Sequence, residues 1–217
     1  MQSEYYQEMF TKIPEEKQKK ILDAAITEFA EHGFASANIN QIADNAGVSV
    51  GAMYKYFLSK EKLYLAVVQY GVQNLNAVME EIMSTKGDLL ERIERIIHAI
   101  QSYTREHIYL TKLYNQMTTE HHSDLVWRIV SDMEGVTAEM YASFIEEAQK
   151  EGTVRPEVNA KLFAFFLDNL FMLLQFSYSC EYYKERLKMF VGKEVFEQDE
   201  LVADQLMAFI KGAFFLK

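Results

Sequence analysis

Residues 39–63 read INQIADNAGVSVGAMYKYFLSKEKL, and this stretch predicts two short helices joined by a tight turn. The helices are expected at about Asn40–Ala46 and Ser49–Tyr56, with Gly47 supplying the positive φ that ends a helix without a Cβ penalty. The apolar side chains expected to bury the pair are Ile42, Val48 and Phe57. The pattern fits a helix-turn-helix, although a helix–Gly–helix segment taken alone is more often a plain αα-hairpin.

The flanking sequence extends this unit on both sides. Pro14 suits a first helical position, and an apolar stripe at helical spacing follows, with Gly33 as its expected C-cap. The stripe consists of Leu22, Ala25, Ile26 and Phe29. Ser59 is the expected N-cap of a helix from Lys60 to about Met83. The first quarter of the chain is therefore predicted to fold as a small helical domain.

The whole chain is predicted to be all-α. Its 217 residues contain only 2 Pro and 9 Gly, too few for the turns that a sandwich or barrel needs every 8–12 residues or so. Apolar residues recur every three or four positions beyond Gly87, including one predicted helix from Pro156 to about Tyr183 and a last one at Leu201–Phe215. About nine helices are expected in total.

Charge and cysteine content narrow the class of protein. The net charge of −10 argues at first against a nucleic-acid partner, but residues 1–62 carry 7 Lys and 9 Asp or Glu, so most of the excess acid lies elsewhere. The single Cys180 excludes an intrachain disulfide. The N-terminus lacks a signal-peptide pattern, and the apolar run Leu162–Phe176 is shorter than the ~20 residues of a membrane span. A cytoplasmic protein is expected.

About residues 14–65 resemble the TetR family of bacterial transcriptional regulators. The resemblance rests on the order and spacing of Ile21-Leu22-Asp23-Ala24-Ala25, Phe29, Gly33-Phe34, Ile42-Ala43, Ala46-Gly47-Val48-Ser49, Gly51, Tyr54, Tyr56-Phe57 and Ser59-Lys60-Glu61-Lys62-Leu63. This extended match favours a helix-turn-helix over a plain αα-hairpin. Farther along the chain, only the helix count and the connector at residues 151–156 match the family.

The resemblance implies a DNA-binding role for particular residues. Asn38 would cap the second helix of the domain and touch a phosphate, while Tyr54, Tyr56 and Lys60 would contact the DNA backbone. The residues implied to approach base edges are Asn40, Ser49, Val50, Gly51, Ala52 and Lys55. Val50 stands where relatives often carry a basic or polar residue, so its base contact is in doubt, although it could meet a thymine methyl. Because residues two apart on a helix point to different faces, one of Tyr54 and Tyr56 is expected to be exposed.

The resemblance also implies two domains: residues 1–62 for DNA binding, and residues 63–217 for ligand binding and dimerisation. Aromatic and Met side chains suit an adaptable small-molecule pocket, although core packing remains the alternative for each one. The pocket candidates are Tyr103, Tyr109, Tyr114, Met117, Trp127, Met133, Met140, Tyr141, Phe144, Phe171 and Gln175. The homodimer-interface candidates are Phe163, Phe166, Leu206, Ile210 and Phe214.

The expected function is a repressor that a small-molecule effector releases from double-stranded operator DNA. Two alternatives stay open: a ligand-independent DNA-binding adaptor, and an all-α small-molecule-binding module. No catalytic motif is present, so no enzyme activity or cofactor is expected. His121 and His122 with His107 and Cys180 form only a weak metal hypothesis, because adjacent helical residues diverge by about 100°.

Overall fold

The computed structural model describes residues 5–119 and 124–216, and the all-α prediction is confirmed. Within these ranges the backbone forms eleven α-helices and no β-strand, with one short 3-10 segment at Lys193–Glu197. The helices are α1 Glu8–Thr11, α2 Glu15–Ser36, α3 Ile39–Asn45, α4 Val50–Phe57, α5 Lys60–Ser84, α6 Leu89–Glu106, α7 Ile108–Thr119, α8 Asp124–Lys150, α9 Ala160–Ser179, α10 Glu181–Val191 and α11 Asp199–Phe214. Side chains at residues 83, 118–119, 124–126, 128–130 and 132–133 are not described.

The chain forms two compact units. The first unit comprises Met1–Asn74 with Tyr109–Ile129, and the second unit comprises Leu75–Ile108 with Val130–Lys217. This division differs from a boundary after residue 62 because α7 packs on the N-terminal helices. The side-chain amide of Gln116 donates to the carbonyl of Ala30 at 3.0 Å. Gly71 on α5 meets Leu110 so closely that an added Cβ would lie 3.0 Å from the leucine Cδ1.

The core of the first unit is built on α2. The predicted stripe of Leu22, Ala25, Ile26 and Phe29 is buried, as expected. Helical φ and ψ angles break at Gly33, where φ is 69°, and one further turn then reaches Ser36. Gly33 therefore interrupts the helix near the position expected for its end.

The short helix α1 was not expected from the sequence. Its Phe10 is buried and packs on the ring of Phe57, with 4.7 Å between centroids, and on the ring of Tyr56 at 5.8 Å. The Gln7 N–H also donates to the Tyr56 carbonyl at 2.8 Å. Helix α1 therefore packs against the buried face of α4.

The core of the second unit is formed mainly by α6, α8, α9 and α11. Helix α9 begins later than predicted, at Ala160, because Asn159 caps it by accepting from the Leu162 N–H at 3.0 Å. It also ends earlier, since Cys180 is extended with φ −97° and ψ 127°. The helix predicted from Pro156 to Tyr183 is therefore replaced by α9 and the separate α10.

Two of the predicted dimer-interface residues lie inside the protomer. Phe163 and Ile210 are fully buried, and the Phe163 ring stacks on Phe214 with 3.8 Å between centroids. Leu206 and Phe214 are partly buried against the same core. Only Phe166 is exposed, at 49%. The prediction of Phe163 and Ile210 as interface residues is wrong, because their side chains are already covered within one chain.

Helix α9 has the length and composition of a membrane span, although the shorter run Leu162–Phe176 had suggested otherwise. Phe163, Leu167 and Phe171 are nevertheless buried in the second unit. Core helices of soluble proteins share this length and composition, and α9 is a core helix of the second unit.

Candidate DNA-binding surface

The turn between α3 and α4 is closed by backbone hydrogen bonds. Gly47 has a φ of 67°, in the left-handed region that glycine adopts without strain. Its N–H donates to the Asp44 carbonyl at 3.0 Å, and the Val48 N–H donates to the Ala43 carbonyl at 2.9 Å. Ala43 is buried, so α3 sits close to its neighbours at this point. The helix-turn-helix predicted from the sequence is present.

Helix α4 has one buried face and one open face. The Ser49 hydroxyl caps the helix by accepting from the Ala52 N–H at 3.2 Å. Met53, Tyr56 and Phe57 are buried, so they anchor the helix. The opposite side is formed by exposed or half-exposed residues: Ser49, Val50, Gly51, Ala52, Tyr54 and Lys55. The N-terminal half of α4 is therefore available to an outside partner.

Packing within the protein does not require a glycine at position 51. Gly51 is the second residue of α4, a helical position at which glycine loses more conformational entropy on folding than alanine does. An added Cβ would meet nothing closer than the Ser49 hydroxyl at 4.0 Å. A glycine that packing does not require, on an exposed helix face, suits the close approach of another molecule.

Asn38 and Asn40 lie exposed at the start of α3. The Asn38 side chain accepts from the Asn40 N–H at 2.9 Å, which confirms the predicted cap. The Asn38 N–H in turn donates to the carboxylate of Glu28 at 2.8 Å. Glu28 is 6% exposed, so a buried carboxylate on α2 fixes where α3 begins. Sequence reasoning missed Glu28, although a carboxylate one heptad after buried Ile21 was a visible signal.

Lys60 has intramolecular partners that the sequence did not suggest. Its ammonium donates to the carbonyls of Ala35 at 3.0 Å and Ala37 at 3.1 Å, and lies 5.0 Å from the centre of the Phe34 ring. A lysine ammonium has three N–H donors. Two of them therefore tie the start of α5 to the end of α2, and a single donor is left for a phosphate.

The two tyrosines of α4 face different ways, as their spacing predicts. Tyr54 is 48% exposed, whereas Tyr56 is 8% exposed and packs between Phe10 and Phe57. The Tyr56 ring belongs to the core, so only Tyr54 has an exposed ring on α4, and the contact of Tyr56 with the DNA backbone stays a prediction. Leu58, which the sequence did not single out, ends α4 with a φ of 59° and is 60% exposed beside this surface.

A family model described as bacterial regulatory proteins of the tetR family matches residues 21–67. This match spans α2 to α5 and includes the whole helix-turn-helix. The chain belongs to the TetR family. It is a DNA-binding transcriptional regulator.

Curated TetR-family relatives extend the likeness beyond the matched domain. The transcriptional regulator YhgD of Bacillus subtilis is 25% identical over 163 residues, covering 75% of this chain and 84% of its own length. The transcriptional activator FasR of Mycolicibacterium smegmatis is 30% identical over 57% of this chain and 63% of its own length. The transcriptional repressor KstR2 of Mycobacterium tuberculosis is 24% identical over 66% of this chain and 72% of its own length. Activators and repressors thus both occur among these relatives.

Solved structures show the same TetR fold. A TetR-family regulator from Chloroflexus aurantiacus has a TM-score of 0.70 at 19% identity, covering 98% of this chain and 99% of its own. The regulator FadR of Bacillus subtilis, in complex with stearoyl-CoA, has a TM-score of 0.69 at 16% identity, covering 88% of this chain and 96% of its own. At these identities the likeness establishes the fold.

The pocket residues predicted from the sequence fall in both units. Tyr109, Tyr114, Met117 and Trp127 belong to the first unit, and the others belong to the second. Trp127 is 68% exposed, so it lines no enclosed cavity within its unit. Tyr141 and Phe171 are buried edge-to-face in the second core, with 6.0 Å between centroids. The side chain of Met133 lies outside the described residues.

The metal hypothesis gains no support from the described part of the chain. No group of three or more His, Cys, Asp or Glu side chains there is placed to hold an ion. His121 and His122 lie outside the described residues.

Proposed function

We propose that the protein is a homodimeric repressor that binds operator DNA through the exposed side of α4 and leaves it when a small molecule binds. The observation that carries the DNA contact is the exposed N-terminal half of α4 with Gly51 at its centre. A recognition helix of this kind lies in the major groove and reads base edges from its N-terminal residues. KstR2, a relative of this chain, is a repressor.

Each exposed residue has a role in this proposal. Asn40, Ser49, Val50, Gly51, Ala52 and Lys55 approach base edges. Tyr54 reaches the DNA backbone, and Asn38 contacts a phosphate beside the N-terminus of α3. The remaining donor of Lys60 contacts a second phosphate. Tyr56 is left out because it is buried.

A dimer is proposed because α9 presents an uncovered apolar stripe. The exposed side chains fall within about 100° of one another around the helix axis: Leu162, Phe165, Phe166 and Leu173. Phe209 on α11 is also exposed, at 61%. Burying such surface against a symmetric copy removes apolar area from water. A twofold dimer would also present two copies of α4 to a palindromic operator.

Release by a small molecule requires a ligand with unequal affinity for two states. A ligand shifts the equilibrium only if it binds the state that is poor at binding DNA more tightly. FadR, which shares this fold, was solved with stearoyl-CoA. Helix α5 begins in the first unit and ends in the second, so it is the element through which the two functions would be linked. We also propose that the protein is cytoplasmic and has no enzymatic activity.

The DNA part of the proposal is tested by fluorescence anisotropy. The full chain is titrated into labelled duplexes that tile the DNA flanking its own gene, at about 150 mM salt with unrelated DNA as competitor. We expect one fragment to bind at least 10³-fold more tightly than unrelated sequence. Equal affinity for every fragment would contradict specific operator binding. It would favour the alternative of an all-α small-molecule-binding module whose helix-turn-helix is not used.

The direction of control is tested in cells. A reporter driven by the bound fragment is compared with and without the gene for this protein. Higher expression after deletion supports the repressor, whereas lower expression supports an activator, as FasR is.

A further inference from the structure

An open pocket of about 430 Å³ lies within the second unit. It is bordered by the C-terminal end of α6, the first residue of α7, the end of α9, α10 and the 3-10 segment. Its lining residues are Arg105, Ile108, Tyr178, Lys184, Lys188 and Phe196. None of the residues predicted to bind a ligand lines this pocket.

The lining carries positive charge in a negative unit. Residues 75–108 and 130–217 contain 21 acidic and 13 basic side chains, yet three of these basic side chains meet at this one pocket. No carboxylate is among the lining residues. Low-dielectric walls bearing one sign of charge concentrate ligands of the opposite sign. The pocket therefore favours an anion.

A hydrogen-bonded network holds the floor of the pocket in place. The guanidinium of Arg105 makes a bidentate contact with the carboxylate of Asp199 and donates to the Phe196 carbonyl at 3.0 Å. Tyr178 donates to Asp199 at 2.8 Å and accepts from the Gln101 amide at 3.3 Å. The hydrogen bonds from Arg105 hold the pKa of Asp199 below its usual value. Because Asp199 offsets the charge of Arg105, the positive charge offered to a ligand must come from the two lysines.

Lys184 and Lys188 stand one helical turn apart on α10, and the Lys188 ammonium also lies 5.9 Å from the centre of the Phe196 ring. Each pairs with a glutamate on its own helix, Lys184 with Glu181 at 3.4 Å and Lys188 with Glu185 at 2.6 Å. Those glutamate side chains are 78% and 56% exposed. Exposed ion pairs of this kind contribute little, so an anion desolvated by the pocket can replace them.

The rest of the lining is apolar or aromatic. Tyr178 and Phe196 meet edge-to-face with 5.6 Å between centroids, and Ile108 lies beside them. Such walls suit a flat or branched hydrocarbon body, whereas a bare inorganic ion would leave them wet. We propose that this pocket binds an organic anion, with its carboxylate or phosphate between Lys184 and Lys188 and its apolar body against Tyr178 and Phe196.

The role of this anion as the effector rests on the function proposed above, but its binding does not. Binding is therefore measured without DNA, by calorimetric titration of the full chain with 4-phenylbutyrate. We expect one site per chain, and at least tenfold weaker binding of the neutral 4-phenylbutyramide. Saturating inorganic phosphate is expected to leave the affinity for 4-phenylbutyrate within twofold.

Variants locate the site. Lys184→Gln with Lys188→Gln is expected to weaken 4-phenylbutyrate binding at least tenfold. The matched control is Arg186→Gln with Lys193→Gln, which removes the same charge from exposed residues outside the lining. The control is expected to bind within twofold of the unmodified protein. Circular dichroism checks that both double variants keep their helical content.

Several outcomes would overturn the proposal: no binding, equal affinity for the acid and the amide, displacement by phosphate, or the same loss in both double variants. A separate anisotropy measurement with operator DNA decides the regulatory role. Binding of 4-phenylbutyrate that leaves DNA affinity unchanged would support the anion site and remove it from the effector role.

Discussion

At the scale of single residues, a substitution at Gly51 distinguishes an effect on folding stability from an effect on DNA binding. Its position on α4 has room for a Cβ, so nothing inside the protein opposes alanine. Gly51→Ala is expected to raise the free energy of unfolding by about 0.5–1 kcal/mol, because alanine is the better helix former. It is also expected to weaken operator binding at least tenfold, because the new methyl would meet DNA. Urea denaturation and anisotropy measure the two effects.

Gly135→Ala is the matched control for this substitution. Gly135 lies inside α8, is exposed, and has no atom within 4 Å of an added Cβ. Gly135→Ala should raise the free energy of unfolding by a similar amount and leave the DNA affinity unchanged. If Gly51→Ala bound the operator as tightly as Gly135→Ala, the close approach of DNA to α4 would be contradicted.

Lys60 is expected to act mainly on stability. Lys60→Met removes two hydrogen bonds to the carbonyls of Ala35 and Ala37. Because Lys60 is partly exposed, we expect a loss of about 1 kcal/mol in the free energy of unfolding, below the full value of charged hydrogen bonds. The proposed phosphate contact adds a fall of about 0.9 in the salt slope of DNA binding. Lys55→Met, on an exposed side chain, should keep the stability within 0.5 kcal/mol or so.

These two outcomes for Lys60 are independent. An unchanged salt slope with reduced stability would remove the phosphate contact and keep the structural one. Unchanged stability would contradict the tie between α2 and α5.

At the scale of helices, the sequence predicted those whose ends carry local signals. Ser49 and Ser59 cap α4 and α5, and Gly47 turns the chain between α3 and α4, as their residue types indicate. Such signals act within a few residues, so they can be seen in the sequence.

Other helices depend on distant contacts and escaped prediction. Helix α1 has only four residues, too short to be stable alone, and it exists because Phe10 packs on residues some 45 positions later. The break at Cys180 carries no Gly or Pro signal. Phe163 and Phe166 are both apolar residues of α9, and only the packing of Phe214 shows that Phe163 is covered within one chain.

The exposed apolar stripe of helix α9 is predicted to form the dimer interface. Phe166→Glu places a charge in the middle of the exposed apolar stripe, where burial against a second copy would leave it unpaired. We expect sedimentation to give a dimer for the unmodified protein and the 25.3 kDa monomer for Phe166→Glu at the same micromolar concentration. Operator affinity should fall with it, because two α4 copies no longer bind together.

Met9→Glu is the control for the dimer prediction. Met9 is 52% exposed on α1, so the substitution adds the same charge at an exposed apolar residue outside α9. It should remain a dimer. A dimeric Phe166→Glu protein would contradict the assignment of the α9 stripe to the interface.

At the scale of the whole molecule, the half-buried Asp168 makes stability depend on pH. Burial and, to a smaller extent, the nearby charge of Glu134 together raise the pKa of Asp168 to about 6. The folded chain therefore holds this proton more tightly than the unfolded chain, in which an aspartate has a pKa near 3.9. The stability that this proton contributes is present below pH 4 or so and is lost as the pH rises through about 6.

Asp168→Asn removes this dependence because asparagine does not titrate. At pH 7.5 its free energy of unfolding should exceed that of the unmodified protein by about 2 kcal/mol, and the difference should vanish near pH 4. Urea unfolding at both pH values measures it. Asp204→Asn, at an exposed residue of α11, should give a difference that does not change with pH. A constant difference for Asp168→Asn would contradict the raised pKa.

The proposed dimer binds DNA through two copies of α4, one from each protomer. The most direct measurement is a DNase I footprint on the operator fragment, comparing the unmodified protein with Tyr54→Ala combined with Lys55→Ala, two exposed α4 positions that leave the buried Met53 and Phe57 intact. We predict two protected half-sites related by a dyad, about one helical turn or a multiple apart, and loss of both in the folded double variant. Protection that persists in the double variant would contradict the account.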